Sequence, residues 1–322
     1  MPLKVSTISK RFSNKWALKD VTFEAADGEI FGFCGPAGSG RSVLLKIIAG
    51  KLTPSGGGTV VLQDEPSGRS STNQSFCVSD DRSEAGFLGR LFGVGKSRRL
   101  SPDEVSKTIY EAVRSPAKLI IFDEIFERLG PNESRKQFRA LRAAAAEAQK
   151  VIVVSSSRFE LLAEVCDRIA VLSGGEIIQD GLPEELYNAP ENATVAETTG
   201  RINLIEARRL SPSKDDHPEF QTIVGSHRIT AERPKGRRLA PLNQNVQLGI
   251  RPENISIAFG ASFPEDNSLK AVLEEIRFCG SETLVDCNAD GLSLTVAVRR
   301  LVGLDVGNEC VLGLPPERII LL

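Results

Sequence analysis

GPAGSGRS, residues 35–42, stands between the apolar run IFGFC (30–34) and the helical pattern SVLLKIIAG (42–50). A buried strand that enters a glycine-rich turn and leaves as a helix is the setting of a phosphate-binding loop. The segment keeps the spacing G-x-x-x-x-G-K-[ST], except that Arg41 stands where the pattern has lysine. Small residues from Gly38 to Ser42 let backbone N–H groups form an anion nest at a helix N-terminus, whatever the side chains. Gly35, Gly38, Ser39, Gly40, Arg41 and Ser42 are therefore the expected nucleotide contacts, a glycine turn without a ligand being the alternative. A lysine is a compact point charge, whereas a guanidinium is longer, planar and forked and cannot take the same place without rearrangement. Transition-state stabilisation should suffer more than binding.

Outward from the loop, strand and helix patterns alternate. LKVSTI (3–8) and VTFEA (21–25) read as short strands, and KLTPSGGGTVVLQ (51–63) as a turn and a returning strand. SGRSSTNQS (67–75) reads as a polar loop. AKLIIFDE (117–124) is a β-rich run ending in two acids, followed by NESRKQFRALRAAAAEAQK (132–150), an alanine-rich helix capped near Asn132. VIVVSSS (151–157) is a buried strand, FELLAEVCDR (159–168) a helix, and IAVLSGGEIIQDG (169–181) a hairpin turning at Gly174 and Gly175. This order predicts an α/β domain with a largely parallel sheet over residues 1–200. From 201 to 322 the segments TIVGSHRIT, VQLGIRP, ISIAF, KAVLEEIRF, ETLVDC, LSLTVAV, NECVLGL and ERIILL are short, alternating and separated by turns. They predict an all-β barrel or sandwich.

Composition bounds the function. The 322 residues, 41% hydrophobic and 25% charged, suffice for two domains with separate cores. A formal net charge of -2 gives no polyelectrolyte signal, and Arg233, Lys235, Arg237 and Arg238 in ERPKGRRLAP read as a solvated loop, so no nucleic-acid partner is expected. No apolar run approaches the ~18 residues that cross a bilayer, and MPLKVSTISKRF lacks the apolar core of a signal peptide; a cytoplasmic location is expected. Six cysteines, Cys34, Cys77, Cys166, Cys279, Cys287 and Cys310, have no C-x-x-C pairing and read as reduced thiols. His217 and His227 have no zinc-ligand spacing around them.

Taken together, DGEIFGFCGPAGSGRSVLLKIIAG, LTPSGGGTV, LIIFDE, CDRIAVLSGGEIIQDGLPEELYNAP and LGIRPENI resemble the ATP-binding subunits of ABC importers over nearly the whole length. The likeness is closest to the carbohydrate-uptake branch (maltose and glycerol-phosphate type), whose ATPases carry a β-rich C-terminal domain. It implies a P-loop NTPase domain with a C-terminal OB-like barrel for regulation or dimerisation, ATP and Mg²⁺ as ligands, head-to-tail pairing with a second ABC ATPase, and permease partners at the inner face of the cell membrane. It also implies that Asp123 reaches Mg²⁺ through water and shares it with Ser42, and that Glu124 polarises the attacking water. Phe12 stands where an aromatic stacks on adenine, although an ordinary core phenylalanine fits the position equally.

Several positions depart from the family. Ser156 takes the place of the histidine that holds the γ-phosphate, Asp80 aligns with the glutamine that links Mg²⁺ to the permease, and Gly130 replaces an aspartate. LSGGE (172–176) imitates the signature LSGGQ but lies beyond the acidic strand. LSPDE (100–104) occupies the signature's place, keeping Ser101 to face the partner's nucleotide while Pro102, Asp103 and Glu104 replace the glycines and glutamine. Two carboxylates there would repel a γ-phosphate, or else simply stabilise a helix that starts at proline. DRSEAGFLGRLFGVGKSRR (81–99) is much shorter than the family's helical subdomain, leaving Phe87, Leu88, Leu91 and Phe92 as a small apolar contact for a permease. Three functions follow: a degenerate ATP-binding subunit in an importer for a sugar, polyol or glycerol-like solute, paired with an intact ATPase; a non-catalytic regulatory protein on the same fold; or a slow genuine ATPase.

Overall fold

Five consecutive buried residues, Ile30–Cys34, form β3, and the first unit of the protein is arranged about them. The computed structural model describes residues 2–62, 75–79, 101–211, 216–233, 239–259, 263, 265–299, 303 and 305–322. A strand apolar at every position must be covered on both faces, as in parallel α/β sheets. Here β3 pairs in parallel with β7 (Val151–Ser155) on one side and β8 (Arg168–Ser173) on the other. The six-stranded sheet runs β5 (Ser75–Ser79), β6 (Leu119–Asp123), β7, β3, β8, β9 (Glu176–Gly181), and only β9 is antiparallel to its neighbour. Each parallel strand of its centre therefore delivers its C-terminal residue to the same edge as Cys34.

The short segments expected before the loop are parts of one long hairpin. β1 (Leu3–Phe12) and β2 (Lys15–Ala25) pair antiparallel, and β4 (Thr59–Leu62) adds to the other side of β1. Register shifts near Thr7 and Asp20, both at positive φ, interrupt the alternation and hide the continuity from a period-two reading. The helices are α1 (Arg41–Ile48), α2 (Pro102–Arg114), α3 (Pro131–Ala148) and α4 (Phe159–Val165). The cap of α3 is Gly130 with Pro131 in the first turn, not Asn132 as expected; proline fits there because its missing N–H would be unsatisfied anyway.

The chain divides into Met1–Tyr187 and Asn188–Leu322, earlier than position 200. Two short helices, α5 (Pro183–Asn188) and α6 (Ala193–Thr199), follow β9. Arg251, 1% exposed, ties α6 to the second unit: Nη1 donates to the carbonyls of Ala196 (2.9 Å) and Arg201 (3.1 Å), and Nη2 to Thr199 Oγ1 (2.8 Å). Two five-stranded antiparallel sheets make up that unit. One runs β12 (Arg228–Thr230), β11 (Glu219–Thr222), β10 (Asn203–Arg209), β13 (Asn245–Ile250), β19 (Ile320–Leu321). The other runs β14 (Ser256–Ala258), β18 (Glu309–Leu314), β15 (Asn267–Phe278), β16 (Thr283–Ala289), β17 (Leu292–Val298). Ile205, Phe220 and Leu248 from the first sheet share one core with Leu273, Val285 and Leu312 from the second, which curls the pair into an OB-like body. Among the described residues no helix is long and apolar enough to cross a membrane.

The entry into β3 depends on one carboxylate. Asp167 Oδ2 accepts from the N–H of Ile30 (2.8 Å) while its own N–H donates to the Ile30 carbonyl (2.8 Å), and Oδ1 accepts from Arg142 Nη1 (3.0 Å). Asp167→Ala leaves the Ile30 N–H without its acceptor and should cost about 1–3 kcal/mol of stability. Urea unfolding checks this; Asp167→Asn, which keeps an acceptor, should lose less.

Candidate nucleotide site

The phosphate loop is held between two backbone segments. Gly40 caps α1 at φ 108, and a Cβ there would lie 2.5 Å from the Ala17 carbonyl oxygen of β2. Gly35, at φ 147, would drive a Cβ into the Leu172 carbonyl oxygen of β8. Only glycine satisfies both the backbone angle and the space. The LSGGE stretch, set aside as an imitation of the signature, turns out to brace this loop: Gly175 N–H donates to the Ser39 carbonyl (3.1 Å), and the Gly175 carbonyl accepts from Lys19 N–H (2.8 Å). That brace pairs residues far apart in the chain, and only its turn glycines were visible in the sequence.

Arg41 lies inside the loop rather than reaching out of it. Its side chain is 5% exposed. Nη1 donates to the carbonyls of Gly35 and Pro36 (3.1 Å for the latter) and, at 3.4 Å, to Ser39 Oγ. Nη2 donates to Glu124 Oε1 at 2.6 Å, an ion pair whose acid is 27% exposed. Nε has no partner among the described residues. Both the residue expected to meet phosphate and the residue expected to polarise water are thus joined to each other.

Asp123 and Ser42, the pair expected to share Mg²⁺, are hydrogen-bonded to each other. Asp123 ends β6, and its Oδ1 accepts from Ser42 Oγ (3.2 Å) and from Ser155 Oγ (2.5 Å). Ser155 ends β7 alongside Asp123 in register, so the parallel ladder itself supplies this third residue. One carboxylate and one hydroxyl suit Mg²⁺, which keeps water and phosphate oxygens as its other ligands. No cluster of three or more His, Cys, Asp or Glu residues able to hold a metal occurs among the described residues. A Cβ on Gly38, at φ 80, would meet nothing within 4 Å, and the first amides of α1 have no intrahelical acceptors.

Glu124 itself adopts φ 55, and its N–H donates to the Ser155 carbonyl (3.1 Å). A non-glycine residue in the left-handed region costs on the order of 1–3 kcal/mol and persists where its surroundings fix it, commonly at functional positions. Ser156 is turned elsewhere: Oγ donates to Glu127 Oε1 (3.2 Å) and accepts from Arg158 N–H (2.9 Å), forming the turn that starts α4. Glu127 also accepts from Ser157 N–H (3.1 Å) and Oγ (2.8 Å). This carboxylate was not singled out in the sequence; the serines at 156 and 157 that face it were the available signal.

At the signature position, Ser101 caps α2. Ser101 Oγ accepts from Glu104 N–H (3.3 Å) and Glu104 Oε2 accepts from Ser101 N–H (2.8 Å), a reciprocal capping box with Pro102 in the first turn. Phe12 is 41% exposed, with Lys10 Nζ 5.2 Å from its ring centroid, so it is not a core residue. Asp80, Phe87, Leu88, Leu91 and Phe92 lie outside the described residues, as do Lys235, Arg237 and Arg238.

Residues 18–177 match the ABC transporter family and residues 248–322 the TOBE domain. The chain is similar to the molybdate/tungstate import ATP-binding protein WtpC of Pyrococcus horikoshii, with 25% identity covering 95% of this chain and 94% of the relative. It is similar also to the sulfoquinovosyl glycerol transport ATP-binding protein SmoE of Agrobacterium fabrum, with 26% identity covering 97% and 94%. A crystal structure of a nucleotide-free ATP-binding cassette from an ABC transporter superposes with a TM-score of 0.50 at 19% identity, covering 62% of this chain and 98% of that one, a likeness of fold.

Two outcomes follow from the site's geometry. Ser155→Ala removes a hydrogen bond to a buried carboxylate and should lower stability by about 1.5–3 kcal/mol in urea titration, whereas Ser157→Ala, beside the more exposed Glu127, should lose less. Burial pushes the Cys34 thiol up to about 11 and Cys287 up to about 12, and raises Cys77, Cys166 and Cys310 as well. At pH 8 a thiol of pKa about 11 is ionised in roughly one molecule in a thousand. Exposed Cys279 should therefore react first with Ellman's reagent in the folded protein, with all six reacting after unfolding.

Proposed function

We propose, on the premise that this chain is an ABC transporter ATP-binding subunit carrying a TOBE domain, that it is a weakened subunit of an importer for a sugar, polyol or glycerol-like solute. It works beside a second, catalytically intact ATPase, in the cytoplasm against the inner face of the membrane, with permeases as its further partners. The family binds ATP with Mg²⁺. In this chain the amides from Gly38 to Ser42 would cradle the phosphates, Ser42 and Asp123 would hold the metal, and Phe12 would stack on the base. ATP bound with Mg²⁺ supplies a polarised terminal phosphate. Glu124 is the group placed to orient water toward it, and in the resting protein it is held by Arg41. The first unit carries the nucleotide-binding role and the second the dimerisation or regulatory role.

The observation that carries this reading is the capping box at Ser101. An open helix N-terminus attracts phosphate, but this one already holds its own Glu104 carboxylate, and Asp103 adds a second negative charge in the same turn. A nucleotide on a partner subunit that met this end of α2 would face acids. Two copies of the chain would repeat that defect at both sites, and an intact partner removes at least the defects on its own side. The solute class is supported by SmoE, whose name concerns a glycosyl glycerol; WtpC, at nearly the same identity, is named for oxyanions. Solute choice lies with the permease and binding protein rather than with any residue in this chain.

A second reading, the non-catalytic regulatory protein, draws on the Arg41–Glu124 pair, which engages the acid that the first reading assigns to water activation. Affinity purification from native membranes at physiological salt separates the two: an intact ABC ATPase and permeases should accompany the chain, and recovery without any membrane partner overturns the importer reading. The purified chain alone should release phosphate from ATP no faster than its Glu124→Gln variant. Multiple turnover abolished by that substitution would instead identify a slow genuine ATPase.

A further inference from the structure

The guanidinium of Arg41 is buried, and a buried charge must find compensation nearby. It finds it in two places: the loop's own carbonyls at Gly35 and Pro36, and the Glu124 carboxylate at 2.6 Å. A phosphate entering the nest would offer the same guanidinium a competing, doubly charged acceptor, and it would bring that charge close to Glu124. The two arrangements compete, because the closed pair turns Nη2 to Glu124 and Nη1 to the loop carbonyls, away from an entering phosphate. Nε is buried without an acceptor among the described residues, so the closed arrangement leaves a hydrogen-bonding group unsatisfied.

We propose that the Arg41–Glu124 ion pair is an autoinhibitory latch within the nucleotide site. In the free protein it holds the guanidinium inside the loop and neutralises the carboxylate, and nucleotide binds only by breaking it. A lysine could not act this way: its single ammonium cannot span the loop carbonyls and the carboxylate together, whereas the planar fork of arginine can. The replacement of lysine by arginine in GPAGSGRS thus gives the site a resting state of its own rather than only a poorer phosphate contact. The left-handed backbone of Glu124, fixed by its N–H bond to Ser155, points the carboxylate at the loop and makes the pair reachable.

The latch rests on the reading of this loop as a nucleotide site, and the test keeps the two apart. ADP is the probe, because it lacks the γ-phosphate on which Glu124 would act and does not depend on turnover. Its affinity is measured by calorimetry for the whole protein, Glu124→Gln and Arg41→Lys, with thermal melting of each in the absence of nucleotide. Releasing one charge-assisted hydrogen bond should tighten ADP binding by Glu124→Gln about tenfold, while the melting temperature of the nucleotide-free variant falls. Arg41→Lys should also bind ADP more tightly. A purely structural contact gives the lower melting temperature with unchanged or weaker ADP binding. Saturable ADP binding that is equal in the unmodified protein and in Glu124→Gln overturns the latch and leaves the nucleotide site standing. Absence of binding in all three folded proteins overturns the nucleotide site and the latch with it.

Discussion

A guanidinium shut inside a backbone loop needs acceptors, and that need organises the nucleotide-binding unit. The loop at 35–42 is too tight for side chains at Gly35 and Gly40, because carbonyl oxygens of β8 and β2 press on it from either side. Arg41 folds onto the carbonyls of Gly35 and Pro36 and across to Glu124. The carboxylate is within reach because β6 and β3 lie in one parallel sheet with only β7 between them, and such a sheet brings its strand ends to a common edge. The sheet's order, the loop's tightness and the charge of one residue are thus a single arrangement.

The same chemistry recurs at the other half of the machinery. At α2 an acid satisfies backbone donors at a helix N-terminus; at the phosphate loop a base satisfies backbone acceptors. In each case the group is engaged by the chain itself. Asp123 contrasts with both. It accepts from two hydroxyls, Ser42 and Ser155, and a hydroxyl that donates to a carboxylate still has lone pairs to offer a cation.

The second unit rests on a different principle. Its two sheets bury one continuous apolar core, and polar groups serve to tie the segments that flank it. Asn203 does this across sheets: Nδ2 donates to the carbonyls of Ile250 (3.3 Å) and Thr295 (2.8 Å), and Oδ1 accepts from Thr295 N–H (2.7 Å). Arg251 does it for α6, which belongs with this unit for that reason although its helical pattern continues the style of the first.

What the sequence alone determined was local. Strand IFGFC, the glycine turn and the helix after it, the acids ending LIIFDE and the alternating grammar past residue 200 all follow from spacing and periodicity, which act over a few residues. That Ser42 and Asp123 belong to one corner was legible too, because their places came with the motif order that the chain shares with a family; their direct hydrogen bond was not. The Arg41–Glu124 pair, the brace from Gly175 to Ser39, the support of Asp123 by Ser155 and the turning of Ser156 toward Glu127 were decided only by the tertiary structure. Each joins residues on different elements, and a side chain's direction is set by which carbonyls, hydroxyls and carboxylates the packed strands place within hydrogen-bonding distance. Residue type in the sequence fixes what can be donated or accepted; the fold fixes the partner.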